Sequence, residues 1–220
     1  VANVPIEQVK AFPFLEFYRT VPLLSLVRFG RWDDILAEPQ PHQELMFSKA
    51  IWHYARGVAF AANGNVADAQ AELAALMPIG NDVSVQFLDS ANYPASSLIA
   101  IAGYLLQGEI AYRDGDFLTA AREFEKAVRE QDSLPYTEPP FWYYPTRQSL
   151  GAALLSAGDA AGAEEVFRKD LDLYPHNGWS MFGMVQSLTA QDKTEQAAEF
   201  RQHFEMSWQF ADVTLEAAIF

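Results

Sequence analysis

Cysteine is missing from all 220 residues, which removes disulfides and thiolate-ligated metals and leaves the redox compartment undecided. No apolar run approaches the roughly 18–20 residues of a membrane span, so no membrane partner is expected. Histidine is scarce: His42, His53, His176 and His203 are scattered, with no HExxH and no pair at ligand spacing. The pattern His42-x-Glu44 is too weak to count, and solvent or capping roles are the expectation. No glycine-rich phosphate loop, serine nucleophile elbow or paired-carboxylate motif stands out. The reading is therefore of no catalytic residue, no cofactor and no metal.

Basic residues are also few, 15 Lys and Arg against 29 Asp and Glu, for a formal net charge of −14. A surface this acidic repels phosphate backbones and anionic lipid, so no nucleic-acid partner is expected and a basic or apolar one fits better. The N-terminal run VANVPIEQVK has neither an initiator Met nor a signal-peptide pattern. That is expected of a processed chain, or of a piece cut from a longer one.

What is plentiful is apolar material, half of all residues, and it is set out in a repeating frame. Gly57, Gly64, Ala69 and Leu73 share their internal spacing with Gly108, Gly115, Ala120 and Phe124, and with Gly151, Gly158, Ala163 and Phe167. Two helices joined by a short turn approach most closely where neither carries a bulky side chain. Gly57, Gly108 and Gly151 are expected at that point, facing Ala69, Ala120 and Ala163. Glycine in mid-helix costs about 1 kcal/mol against alanine, and close packing is the expected compensation. Gly64, Gly115 and Gly158 then end the first helices, where a left-handed residue is needed. Leu73, Phe124 and Phe167 fall one turn past the alanine and cover the seam between units.

In these glycine, turn, alanine and aromatic slots the chain resembles tetratricopeptide repeats, with Pro175, and Pro78 and Pro135, closing the second helices. The resemblance covers most of residues 43–210. It implies an all-α fold, an antiparallel helix-pair solenoid: one domain over residues 1–220. That domain divides into a degenerate unit (11–41), repeats at 43–78, 97–134 and 144–175, a looser repeat at 177–210 and a tail at 211–220. A narrower resemblance, to the C-terminal part of long bacterial tetratricopeptide-repeat proteins of no assigned activity, is carried by four runs. These are RFGRWDDILAEP (28–39), HYARGVAFAANGN (53–65), EPPFWYYPTRQSLGAALL (138–155) and YPHNGWSMFGM (174–184). It implies further repeats before Val1 and a bacterial cytoplasmic or periplasmic setting, with no catalytic residue to carry over.

Along the chain, residues 11–29 read as an apolar helix interrupted at Pro22, followed by a turn and short helix at 30–36. Gln43 to Asn63 and Val66 to Met77 make the first full pair. The glycine spacing then lengthens beyond the family's repeat of about 34 residues. The surplus falls in Ile79–Pro94, which holds turn residues and one short apolar run, and in Asp132–Trp142. Both insertions join a second helix to the next first helix, so both are expected on one edge, where binding loops often lie. A last pair carries Trp179 and Gly183, a longer turn at Gln191-Asp192, and an apolar stripe of Ala197, Phe200, Phe204 and Trp208. The tail, Asp212–Phe220, is expected to fold over the last helix or to pair with another chain.

The leading candidate site is the proline-stiffened loop at 138–145, with Glu138, Trp142 and Tyr143. Aromatic residues on a rigid loop lose little entropy on binding, although the same rings could simply fill the junction. Arg147 needs a carboxylate if buried, and Glu138 is the expected partner, in a structural ion pair more readily than in substrate capture. The concave wall is expected to include Tyr54 and Val58, then Leu105, Glu109, Tyr112 and Arg113, then Gln148 and Ala152. Relatives that grip a peptide's terminal carboxylates place Lys, Arg and Asn there, so the resemblance implies that this clamp is absent. Asp68, Glu72, Glu123, Glu125, Glu164 and Glu165 read as solvated outer faces.

The expected function is a non-enzymatic scaffold holding a basic or apolar protein or peptide segment on its concave face. Two other readings stay open. One is an enzyme or metal-binding module with its site between loops 79–94, 132–145 and the groove. The other is a structural segment that self-associates as a homo-oligomer.

Overall fold

A computed structural model describes residues 4–219; Val1–Asn3 and Phe220, which belong to the ranges above, lie outside the described residues. Among those described, the fold is all-α, with twelve helices and no strand. The first three are α1 (Ile6–Ala11), α2 (Glu16–Arg28) and α3 (Trp32–Ala37). Then come α4 (Met46–Ala62), α5 (Val66–Leu76) and α6 (Val83–Ser90). The longest is α7 (Ala95–Arg113), followed by α8 (Phe117–Ser133), α9 (Arg147–Ser156) and α10 (Ala160–Leu173). The last are α11 (Gly178–Ala190) and α12 (Thr194–Trp208). Each helix packs on its chain neighbour in the pairs α2–α3, α4–α5, α7–α8, α9–α10 and α11–α12. Pairs join through α2 on α4, α4 on α7, α8 on α9 and α10 on α11.

Periodicity explains the burial. Phe47, Ile51, Tyr54, Ala55 and Val58 recur every three or four residues along α4 and are all buried. On α8 the same spacing buries Ala120, Phe124, Ala127 and Val128 beneath a charged outer face. One contiguous core runs from α2 to α9, and a smaller cluster around Phe167 and Met184 serves the last helices.

All five helix pairs turn alike. Gly30, Gly64, Gly115 and Gly158 have φ of +61°, +78°, +82° and +86°, and Asp192 stands at the same place with φ 58°. At each, the left-handed residue's N–H donates to a carbonyl three residues back, and the next N–H to one five residues back. Gly158 to Leu155 with Asp159 to Leu154, and Asp192 to Thr189 with Lys193 to Leu188, are examples. The Gln191-Asp192 turn is thus no looser than the others. Asp192 carries the Cβ penalty that glycine avoids elsewhere. Asp192→Gly is expected to stabilise the chain by about 0.5–1 kcal/mol in urea unfolding.

The close approaches are not those expected from the spacing. Ala69, Ala120 and Ala163 are fully buried, but the side chain nearest Gly108 is Phe124, and that nearest Gly151 is Phe167. Gly57 lies against Leu106 of the next pair instead. Helical side chains lean back toward the N-terminus, so a ring one turn past the alanine reaches the glycine of the facing helix.

Three further departures come from local chemistry. The helix does not break at Pro22, which lies inside α2; the break falls at Phe12 and Pro13. Pro22 and Tyr18, four residues before it, are both exposed, so the carbonyl that proline leaves unbonded faces water. The insertion at 79–94 is not merely turn and apolar run. It holds α6, which Asp82 caps through the Ser84 N–H and which buries Val85 and Leu88. The first helix of the next pair starts at Met46 rather than Gln43.

Candidate functional site

The loop between α8 and α9 is pinned at its base. Gln131, near the end of α8, donates from Nε2 to the Tyr144 carbonyl (3.1 Å) and accepts at Oε1 from the Thr146 N–H (2.8 Å) and hydroxyl (2.9 Å). Beside it Arg147 forks onto Asp132, at 2.7 and 2.5 Å. This corrects the expected Glu138 pairing: Glu138 is exposed and accepts from the Tyr136 hydroxyl at 2.6 Å. Asp132 wins because it closes α8 beside the start of α9, while the intervening loop carries Glu138 away.

From that base the aromatic residues turn inward. Trp142, 3% exposed, meets Tyr54 edge-on with centroids 5.5 Å apart; Phe141 meets Tyr93 at 5.5 Å; the Tyr143 and Tyr54 hydroxyls share a hydrogen bond of 3.0 Å. Burial raises the pKa of Tyr54 and of Tyr143 well above the usual phenol value, so both stay neutral. The same rings that were candidate anchors therefore cover part of the first-helix wall.

The rest of the wall is covered only in part. Glu109 is buried, which raises its pKa, while Arg113 at 2.7 Å works in the opposite direction. The Tyr112 hydroxyl pairs with Ser156 at 3.0 Å. The tail turns inward rather than outward: Val213 accepts from Trp208 Nε1, Glu216 from Gln186, and Ala218 is buried. Residues 213–217 and Ile219 line a cavity of about 500 Å³ together with Phe29, Trp32, Tyr112, Arg113 and Trp179. Of the expected site residues, only Glu138 and Arg113 are exposed, Tyr112 and Tyr143 are half-buried, and Tyr54, Glu109, Trp142 and Arg147 are buried. The expectation of a wholly open concave wall is corrected accordingly: this chain's own loop covers much of it, while Tyr112, Arg113 and Gln148 border open space.

A cleft of about 620 Å³ opens beside the loop. One wall is the loop, with Pro139, Pro140, Trp142, Tyr143 and Tyr144; the other is Tyr174, Pro175 and Trp179; Gln148 of α9 lines it between them. Arg28 of α2 stacks over the Trp179 ring, 3.6 Å from its centroid, and burial lowers its pKa. An apolar hollow of about 390 Å³ adjoins on the far side of Arg28, with Phe17, Val21, Leu24 and Phe141.

Three of the six supposedly solvated acids are withdrawn from solvent and paired, while exposed Glu125 also pairs with Arg129 at 3.2 Å. Glu72 accepts from His53 and Arg56, Glu123 from Lys126, and Glu164 from Arg168, Gln191 and Lys193. Asp68, Glu125 and Glu165 are exposed as expected. No group of three or more His, Asp and Glu placed to hold a metal occurs among the described residues.

Comparison of the chain with protein-family models, with curated proteins and with solved structures finds no match. Arg28 and Tyr174 were not marked by the sequence as parts of this cleft. Arg28 meets Trp179 across the molecule, and nothing local in either segment signals the contact.

Proposed function

We propose that the protein is a non-enzymatic interaction module, a tetratricopeptide-like array of helix pairs that holds a basic or apolar protein or peptide segment. The five matching turns and the buried glycine, alanine and aromatic slots support the repeat assignment. The partner sits in the cleft at the loop edge, since the loop covers much of the inner wall. One observation carries this placement: the Pro139–Tyr144 loop is packed rigidly on one side and leaves an aromatic, proline-edged cleft on the other.

Site-specific photo-crosslinking tests it. A crosslinking residue at Tyr174, 40% exposed in the cleft, is expected to capture a partner from source lysate that one at Leu118, 68% exposed on α8, does not. Capture should weaken with salt if the partner is basic. Equal capture at both positions counts against the reading.

Self-association is the second reading, favoured by a patch on the first unit where Phe12, Phe14, Tyr18 and Phe29 are each about half exposed or more. Light scattering showing a dimer that Phe14→Ser disperses would support it.

A further inference from the structure

One residue of α9 is buried with both polar atoms of its side chain unpaired. Gln148 is 1% exposed, and neither its Nε2 nor its Oε1 has a hydrogen-bond partner. The indole N–H of Trp142, 3% exposed, is likewise unpartnered. Both residues line the 620 Å³ cleft. A buried polar group left unsatisfied is costly, and polar groups of this kind are normally engaged. A carboxamide presents a donor and an acceptor side by side, which complements the N–H and C=O of one residue in an extended chain, since these point the same way on either side of its Cα.

We propose that this cleft docks an uncharged, extended peptide segment, with the backbone N–H and C=O of one residue of the segment pairing with the Gln148 carboxamide. A second peptide carbonyl accepts from the Trp142 N–H. Apolar side chains of the segment, proline included, lie against Tyr174, Trp179 and Pro139, as extended segments do in aromatic-lined grooves. Nucleic acid is disfavoured by the −14 net charge. The inference rests on the interaction-module reading and narrows it from basic or apolar partners to apolar ones.

The test uses the whole chain and three pools of fluorescein-labelled hexapeptides, each N-acetylated and C-amidated. One pool is apolar (Ala, Leu, Pro, Phe), one carries two Lys, and one carries two Glu; binding is read by fluorescence polarisation. The apolar pool is expected to bind, and Gln148→Met to weaken it at least tenfold. The same variant should melt no lower than the wild type, because replacing an unpaired amide by an apolar isostere removes a penalty. Apolar binding that Gln148→Met leaves unchanged would overturn the site and leave the module reading standing. A clear preference for the Lys pool would overturn the uncharged ligand. Failure of all three pools would remove both readings. A lower melting temperature for Gln148→Met would show that the amide is already engaged within the fold, which also overturns the proposal.

Discussion

Phe167→Ala is expected to cost about 3–5 kcal/mol in urea unfolding. The ring is fully buried and gripped from two sides. A Cβ built on Gly151 would lie 2.5 Å from it, and one built on Gly183, in the next helix pair, 2.3 Å. No neighbour can collapse into the vacated space without moving a backbone, so the cavity stays open and the cost lies toward the upper end of the usual range. Gly183→Ala approaches the same contact from the other side and should cost about 1–3 kcal/mol by overpacking. Combined with Phe167→Ala, its cost should nearly vanish, since the two share one contact. A loss below about 1 kcal/mol for Phe167→Ala would mean that the ring does not hold the last two pairs together.

The second large effect is a pH dependence of unusual sign. Asp170 is fully buried on α10, and burial pushes its pKa from 3.8 up to about 6. Hydrogen bonds from Ser180 and Asn177, and the more distant charges of Arg147 and Arg28, resist this only in part. Its other oxygen, Oδ1, has no partner. The folded chain therefore holds this proton more tightly than the unfolded chain does, and protonation favours folding. As pH rises from about 4 to about 6, ionisation should subtract roughly 3 kcal/mol, with no further change above that.

Other carboxylates work the opposite way. Lys193 above all, with Arg168 and Gln191, holds Glu164 at about 2 against its burial, so its contribution is present above the ordinary range and lost in acid. Exposed cations limit what that pair is worth. The difference between wild type and Asp170→Asn isolates the one residue. The variant should gain on the wild type between pH 4 and 6 and then run parallel. Parallel curves across the whole range would show that Asp170 is solvated.

These two effects divide by how far they could be seen in the chain. The glycine that ends each first helix was visible, because a left-handed turn is decided by the residues within a few positions of it. Gly64, Gly115 and Gly158 behave as their spacing requires, and the degenerate turn at Gly30 follows the same hydrogen bonding. The small residues were visible too, but their partners were not. Whether Gly151 faces Ala163 or Phe167 depends on how a ring leans across a helix crossing, and spacing along one strand of sequence does not record that lean.

The site was legible only in outline. Trp142 and Tyr143 were marked, with two roles left open, and tertiary packing decided that they fill the wall beside Tyr54 while one side of their loop stays accessible. Arg147 was known to need an acid, yet the choice of Asp132 over Glu138 depended on the loop's path. Arg28, Trp179 and Gln148 come from three separate helices and meet at one cleft. By itself the sequence determined most of the paired helices and the turns that join them, since these rest on backbone preference and periodic apolar burial. Only the tertiary structure decided which surfaces stay uncovered, because that depends on where a loop and a tail settle once the helices have packed.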